Sequence, residues 1–534
     1  MKAYLEGIID RALGKCQLNF KKENIQLEKP KIKEQGDYSS NIALILGKNN
    51  KLSPLSLAQT IRDQVLALDH KKALEKIQVA PPGFINFFIT DNYWHTILKE
   101  ILEKKDCFGS SNYFKGRKVL VEFVSANPTG PLHIGHGRWA VVGDNLARIL
   151  ASTGNKVAKE FYVNDAGQQV ENLLLSVKAR LKNETPPPDG YHGSYISVLA
   201  DKFKNHAEKK DLKKLLVQEM LRQQKETLKR IEVEFNHWFS EEALHQKGLV
   251  KKAVNKLTGL NKTFVQDQAI WFKAQAEGDD KDRVLIKADN TPTYFAADIA
   301  YHLYKFERGY DLLINIWGTD HHGYVARIKH ALSALGLDSQ KLKVILGQLV
   351  ALYRGKELVR MSKRTGEMVT LNEVIEEIGK DATRFFLSMN DVHTHLDFDL
   401  ELAKNKSQEN PVYYVQYAHA RICSILREAE KQKLKFSKNK NDFALLKEEA
   451  EKNLIRQISR LPEETIHSAQ LFTPHILTIY ARETAALFHN FYHQHRVIAS
   501  DKKITCARLA LCEATRITLK NVLKLLGINA PERM

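Results

Sequence analysis

The spacing of apolar positions changes several times along the chain, and each change marks a boundary. Up to about residue 110, helical patterns at the start and over Leu55–Leu68 surround strand-like pieces. These pieces are Ile42–Leu46 and Phe84–Thr90, the second following the breaker Pro81-Pro82-Gly83. The pattern predicts a small α+β domain over 1–110. From Lys118 the character changes. Val119–Val124 is an apolar, strand-like run, and Asn127 to Gly137 is a loop rich in Pro and Gly. Arg138–Ser152 then reads as a helix, with Ala140, Val141, Leu146, Ala147 and Leu150 near helical spacing and Gly154 as a stop. Val157–Val163 is strand-like again. Strand, loop, helix and strand in this order predict a parallel α/β sheet. A second such unit starts at Asp311–Trp317 and runs into a helix from Tyr324 to Leu335, with Lys343–Leu349 as a further strand candidate.

An insertion around 183–270 separates the two units inside a domain spanning 111–380. It opens on the loop Pro186-Pro187-Pro188-Asp189-Gly190. Asp201 to Glu234 follows as a charged helical stretch with Leu212, Leu215, Leu216 and Met220 on one face, the pattern of a solvated helix packed on the sheet domain. After Asp381 only helical patterns are found, so 381–534 reads as an all-α domain. A basic, polar loop runs from Lys431 to Lys440 within it. The predicted fold class is therefore multidomain α/β.

The length of 534 residues suits this division, since it corresponds to about three or four domains at roughly 150 residues each. A composition of 43% hydrophobic and 27% charged residues excludes disorder as the dominant state. The longest apolar run, Val344 to Tyr353, is broken by Gln348 and is too short to cross a membrane. Glu6 and Asp10 interrupt the first residues, so a secretory or transit segment is not expected. The 81 Lys and Arg residues against 63 Asp and Glu leave a net charge of +18, which favours a polyanionic partner. Five cysteines without a CxxC pair exclude a disulfide scaffold and a zinc finger, and fit a reducing, cytoplasmic compartment.

The chemistry concentrates in Asn127-Pro-Thr-Gly-Pro-Leu-His-Ile-Gly-His-Gly-Arg138. This segment lies where a strand ends and a helix begins, the place where anions and nucleotides bind. His133 and His136 are three apart, so at the first turn of a helix both imidazoles fall on one side. Gly135 between them lets a flat ring approach the backbone. Two N–H donors beside bare backbone suit a nucleotide attacked at its α-phosphate, and no GxxxxGK[ST] offers a P-loop instead.

His-Ile-Gly-His at 133–136 resembles the HIGH signature of class I aminoacyl-tRNA synthetases. Arg360-Met361-Ser362-Lys363-Arg364 is similar to the second signature of that class, KMSKS, departing at its first and last positions. The resemblance narrows to the arginyl-tRNA synthetases of bacterial type and covers essentially the whole chain. It is carried by Glu122-Phe-Val-Ser-Ala-Asn127 running into HIGH-Gly-Arg, by Tyr294 to Asp298, and by Trp317-Gly-Thr-Asp-His-His-Gly-Tyr-Val325. Gly36-Asp-Tyr-Ser-Ser-Asn41, Pro82-Gly-Phe-Ile-Asn-Phe87, Tyr414 to Ile422 and the ending Ala530-Pro-Glu-Arg-Met534 also resemble that family.

The resemblance implies a Rossmann-like catalytic domain, a small tRNA-contacting N-terminal domain and a helical anticodon-binding domain. It implies activation of L-arginine with ATP and transfer to the 2′-hydroxyl of the terminal adenosine of tRNA(Arg), with cognate tRNA required for the first step. His133, His136 and Lys363 would stabilise charge on the phosphates. Glu122, Tyr294 and Asp298 would hold the guanidinium, whose five planar donors ask for carboxylates, and Ser125 and Asn127 the amino acid's polar end. Gly318, Asp320 and His321 would border the ATP ribose, and Met361 the adenine. Phe84 and Asn86 match positions that contact the D-loop, and Tyr414, Tyr417, Arg421 and Met534 match anticodon-domain positions. Mg²⁺ is expected with the ATP phosphates, zinc and a membrane partner are not, and a monomer is the family expectation.

Other readings stay open at this level. Taken alone, Glu122 also fits a salt-bridge residue at a strand end, and Asp298 a surface acid of a helix. Asp320-His321-His322 invites a metal, although adjacent histidines diverge and no third ligand has a fixed spacing. Phe84 and Tyr414 also fit core aromatics. A shorter type of HIGH-bearing nucleotidyltransferase is disfavoured by the helical C-terminal region and the charge. A non-catalytic RNA-binding paralogue is disfavoured by the retention of His133 and Lys363.

Overall fold

In the computed structural model of the chain, the described residues are 1–16, 18, 20–30, 32–206, 211–359 and 369–534, with the backbone alone described at Lys33 and Asp320. The first part packs α1 (Lys2–Lys15), α2 (Ile42–Asn50) and α3 (Pro54–Leu68) around β1 (Tyr38–Ser40), β2 (Leu74–Ala80) and β3 (Phe84–Ile89). β3 is central and pairs antiparallel with both neighbours. Ile42–Leu46, expected as a strand, is instead the first turn and more of α2. Ile42, Ala43 and Leu46 are buried on one helical face, and so short an apolar run does not distinguish the two periods. α4 (Asp91–Lys104) leads out of this unit.

The central part is built on β4 (Lys118–Glu122), α5 (Ile134–Ser152) and β5 (Lys156–Val163). α6 (Gln168–Leu181), α7 (Ser194–Lys202) and α8 (Leu212–Arg230) follow, then β6 (His237–Ser240), α9 (Glu241–Gln246) and α10 (Leu249–Gly259). β7 (Thr263–Gln266), β8 (Ala269–Phe272) and β9 (Arg283–Ile286) form an antiparallel meander. α11 (Tyr294–Glu307), β10 (Leu312–Gly318), α12 (His322–Ala334) and β11 (Leu342–Gly347) complete the second unit. Among the described residues these strands give a five-stranded sheet in the order β11-β10-β4-β5-β6. Every pair in it is parallel. The chain winds outward from β4 in one direction and then, at β10, in the other. The boundary between β4 and β10 is the switch point at whose carboxyl end such sheets bind ligands. The stretch 183–270, expected as a helical insertion, is not wholly helical, because β6 within it is an edge strand of this sheet.

β12 (Val350–Arg354) and β13 (Glu357–Leu358) lead to the segment 360–368, outside the described residues. α13 (Leu371–Ser388) follows and is kinked at Gly379, whose φ of 79° places it in the left-handed region that favours glycine. β14 (Leu396–Asp399) pairs in parallel with β12, so the region after Asp381 is not purely helical. Its four residues alternate buried and less buried, too short a stretch to stand out from helical spacing. The rest is α14 (Leu400–Lys404), α15 (Pro411–Lys431), α16 (Glu449–Ile458), α17 (Leu461–Leu471), α18 (His475–Gln494) and α19 (Lys502–Leu525). One continuous apolar core runs from α1 to α19, and a second lies between α10, α11 and α12.

Candidate active site

At the end of β4 the backbone turns under strain. Val124 and Ser125 both have positive φ, 71° and 44°. A β-branched residue in that region is unfavourable by about 1–3 kcal/mol, and such strain collects at functional turns. The turn brings Ser125 Oγ to Glu122, to which it donates at 3.3 Å, while it accepts from the Tyr162 amide at 3.2 Å. The loop beyond is held from the α6–α8 region. The buried Gln224 of α8 donates to the Asn127 and Gly130 carbonyls, both at 3.0 Å, and Tyr195 of α7 donates to the Thr129 carbonyl at 2.9 Å.

His133 and His136 open α5 by capping it reciprocally. His133 Nδ1 accepts from the Gly135 and His136 amides at 3.1 and 3.4 Å, and His136 Nδ1 accepts from the His133 amide at 3.2 Å. The rings stack with centroids 3.7 Å apart. With Nδ1 accepting in both, each neutral ring carries its proton on Nε2. The first turn of α5 thus offers two Nε2–H donors together with the positive end of its own dipole. Gly135 has a local reason as well. A Cβ there would meet His133 Cε1 at 3.0 Å, so its bareness first admits the His133 ring. His133 also bridges Thr370, the residue that caps α13 and follows shortly after 360–368.

The opposite wall is acidic. Glu122 forms a buried ion pair with Lys305 of α11, and Lys305 donates to Asn315 Oδ1 at 3.0 Å. Asn315 Nδ2 donates to His302 Nε2 at 3.0 Å, and His302 Nδ1 donates to the Asp298 carbonyl at 2.8 Å. Asp298 accepts from the Tyr324 hydroxyl. Enclosure pushes the Asp298 carboxyl up to about 6, assisted by the charge of Glu122 and opposed by Tyr324 and Lys305. Nearby, burial pushes Glu241 up to about 7, opposed by its hydrogen bond with Tyr162 and assisted by the charges of Asp298 and Asp165. Burial thus makes ionisation of Asp298 costlier than in water, and a cation bound beside it would favour the ionised form.

A cavity of about 670 Å³ joins the two walls. Glu122, Ser125, Asn127, His133, His136 and Asp298 all line it, as do Gly318 and His321. Tyr294 does not. It is 68% exposed, with its hydroxyl beside Gly167 at the start of α6. Met361 and Lys363 lie outside the described residues, as does the side chain of Asp320. Lys305, His302, Asn315, Tyr324 and Gln224 were not singled out in the sequence. Only Tyr324 stood inside a quoted motif. The others sit at helical or strand spacing that reads as ordinary core or surface, and their partners are distant in the chain.

The expected RNA contacts fall on two surfaces. Phe84 is 39% exposed on β3, while Asn86 is buried in the same strand and accepts from Ser39 Oγ at 2.7 Å. Tyr417, Arg421 and Met534 line a second cavity of about 1090 Å³ together with Tyr492, Arg496 and Arg533. The Arg421 guanidinium lies 4.6 Å from the Tyr417 ring centre and 5.0 Å from that of Tyr492. Tyr414 packs on His489, ring centres 4.7 Å apart, and is not part of that lining.

Comparison with known proteins places the fold and the family. Residues 3–89 match the arginyl tRNA synthetase N terminal domain, 97–188 the catalytic domain of tRNA synthetases class I (R), and 415–534 the DALR anticodon binding domain. The arginine–tRNA ligase of Heliobacterium modesticaldum is 45% identical over 95% of this chain and 93% of its own length. That of Shouchella clausii is 44% identical over 100% and 99%. A putative arginyl-tRNA synthetase structure from Campylobacter jejuni superposes with a TM-score of 0.76 at 33% identity, covering 84% of this chain and all of that one. The Thermus thermophilus arginyl-tRNA synthetase shares the fold over the full length of both chains, with a TM-score of 0.82 at 23% identity. With relatives this similar over nearly its whole length, the chain belongs to the arginyl-tRNA synthetases, the arginine–tRNA ligases of class I.

Proposed function

We infer that this enzyme joins L-arginine to tRNA(Arg) in two steps at the β4–α5 cavity. One observation supports the reading of the site: the capping imidazoles of His133 and His136 at a helix N-terminus and the carboxyls of Glu122 and Asp298 line one cavity. In the first step a carboxylate oxygen of arginine attacks the α-phosphorus of ATP. The bond to the bridging oxygen breaks and pyrophosphate leaves. Negative charge grows on the phosphate oxygens, where His133, His136 and Lys363 would stabilise it without transferring a proton. In the second step the 2′-hydroxyl of the terminal adenosine attacks the arginyl carbonyl and AMP leaves.

Asp298 and Glu122 would face the guanidinium, with Tyr324 and Lys305 orienting them. Ser125 and Asn127 would meet the amino acid's polar end, and Tyr294 would join Asp298 and Glu122 on the guanidinium side. Gly318, Asp320 and His321 would border the ribose and Met361 the adenine. Mg²⁺ would enter on the phosphates of ATP as part of the substrate. Among the described residues no group of three or more His, Cys, Asp or Glu could hold a metal ion. The tRNA would lie along Phe84 and the Tyr417–Arg421–Met534 cavity, where aromatic and guanidinium faces suit splayed-out bases.

The domain division proposed is 1–110, 111–380 and 381–534, in a cytoplasmic monomer. No helix among the described residues is long and apolar enough to cross a membrane. ATP–pyrophosphate exchange with each of the twenty amino acids, with and without bulk tRNA, tests the reading. Exchange with arginine alone, and only when tRNA is present, is expected. Exchange with another amino acid would overturn the roles given to Glu122, Tyr294 and Asp298.

A further inference from the structure

The chain after α19 lies as a strap between the second cavity and the catalytic sheet. At the cavity end, the Pro531 carbonyl accepts from His419 Nδ1 at 2.8 Å. In the middle, Asn529 is held on both sides of its peptide. Its carbonyl accepts from Gln416 Nε2 at 2.9 Å, and its amide donates to Asp381 at 3.2 Å. At the catalytic end, the Leu526 carbonyl accepts from Arg384 Nε at 2.9 Å. Gly527 follows with φ 65°, and a Cβ there would stand 2.3 Å from Arg384 Nη2, so the strap folds directly over the guanidinium.

Arg384 spends its remaining donors on the catalytic side. Nη1 donates to the Ile231 carbonyl beyond α8 at 2.6 Å. Nη2 donates to Asp144 at 2.8 Å and to Asn145 at 2.6 Å, both on α5. Arg384 and Asp144 are each 0% exposed. Burial raises the Asp144 carboxyl, but the charges of Arg384, Arg148 and Lys159 more than reverse this and hold it below the usual carboxylate range. A buried charge cluster of this kind is a weak source of stability relative to apolar packing, and its best-attested use is to fix register. The register fixed here is that of α5, whose first turn carries His133 and His136 about 15 Å along the same helix.

We propose that Arg384 is a positioning residue for the reaction: through the 526–531 strap it ties the orientation of the HIGH helix to whatever occupies the Tyr417–Arg421–Met534 cavity. The proposal rests on the reading that this cavity takes tRNA. Binding there shifts the strap, the strap moves against Arg384, and α5 settles with its two imidazoles aligned on ATP. Arg384 itself touches no substrate.

The test uses the full-length enzyme, an in vitro transcript of tRNA(Arg), and steady-state ATP–pyrophosphate exchange. Arg384→Lys keeps the charge but removes the fork. Gln416→Leu cuts the strap at its middle, outside both cavities. Each is expected to lower kcat for exchange about tenfold, as misalignment does, with KM for ATP and arginine within twofold. The double variant should lose no more than the worse single one, because both break the same link. A Gln416→Leu enzyme with wild-type kcat, or losses that multiply in the double variant, would overturn the link. If Arg384→Lys does not fold, Asn145→Ala, which removes a partner of Arg384 on α5, takes its place in the cycle. Arginine-dependent exchange by the unaltered enzyme is the control: its absence would fail the functional reading, whereas its presence with an unaffected Gln416→Leu fails the link alone.

Discussion

Glu122, at the last position of β4, is ion-paired with Lys305 in α11, and both side chains are buried. The Glu122 carboxylate thus already has a cationic partner, 183 residues away in sequence. Removing one partner of a buried pair leaves the other uncompensated. Lys305→Met should lower stability by about 3–5 kcal/mol, measured by urea unfolding, and adding Glu122→Gln should recover part of that loss. If the guanidinium reaches Glu122, free arginine should raise the melting temperature of Lys305→Met more than that of the wild type. An equal shift in both would remove Glu122 from the arginine site.

His133 caps α5 and also presents a donor to the cavity, and the two roles separate on substitution. Asn is as good a cap as any residue but cannot place a proton where Nε2 does. His133→Asn should therefore fold with an unchanged melting temperature and lose about 10²–10³-fold in kcat for exchange, the scale of a lost transition-state donor. A stable variant with wild-type kcat would leave His133 a structural residue.

Asp298 is pushed up to about 6 and Glu241 to about 7, from ordinary values of 3.8 and 4.5. Both are raised carboxyls, so the folded state holds protons that the unfolded chain releases near pH 4. Stability of the arginine-free enzyme should therefore decline as pH rises from about 4 to about 7. Bound arginine favours the ionised forms, so its binding should release protons in the same window. KM for arginine should fall as pH rises through about 6 to 7 and level off above. Asp298→Asn should flatten that profile and raise KM throughout. A pH-independent KM in the wild type would exclude Asp298 as the guanidinium partner.

Lys363 belongs to the segment whose following residue pair, Val369 and Thr370, returns the chain to His133. Lys363→Ala should lose single-turnover adenylate formation while keeping tRNA affinity in filter binding. Unchanged activation would take Lys363 out of the mechanism. Its neighbours Arg360 and Arg364 offer forks where the related signature has an ammonium and a serine. Arg360→Lys should accordingly be tolerated within a fewfold in kcat.

The parallel sheet was legible because its strands are apolar runs followed by Gly- and Pro-rich loops, a pattern set within some thirty residues. The reversed winding that places β10 beside β4 was not, since it depends on how the units pack. Ile42–Leu46 and Leu396–Asp399 were misread for one reason: four or five residues are too few for period 2 and period 3.6 to separate, and tertiary packing decided them. β6 was missed because its four residues, His237 to Ser240, are too few to show period 2.

What the sequence determined alone is what local chemistry dictates: two histidines at one helix turn, carboxyls at a strand end and on a helix, and a net charge that favours a polyanion. These follow from residue type and short spacing. Only the tertiary structure decided that Glu122 is paired with Lys305, that Asp298 accepts from Tyr324, and that Arg384 joins α5 to the chain beyond α19. Those partners lie far apart in the chain. Their meeting is enforced by burial of a shared core, where each desolvated charge must find a partner, and no spacing along the sequence encodes which one.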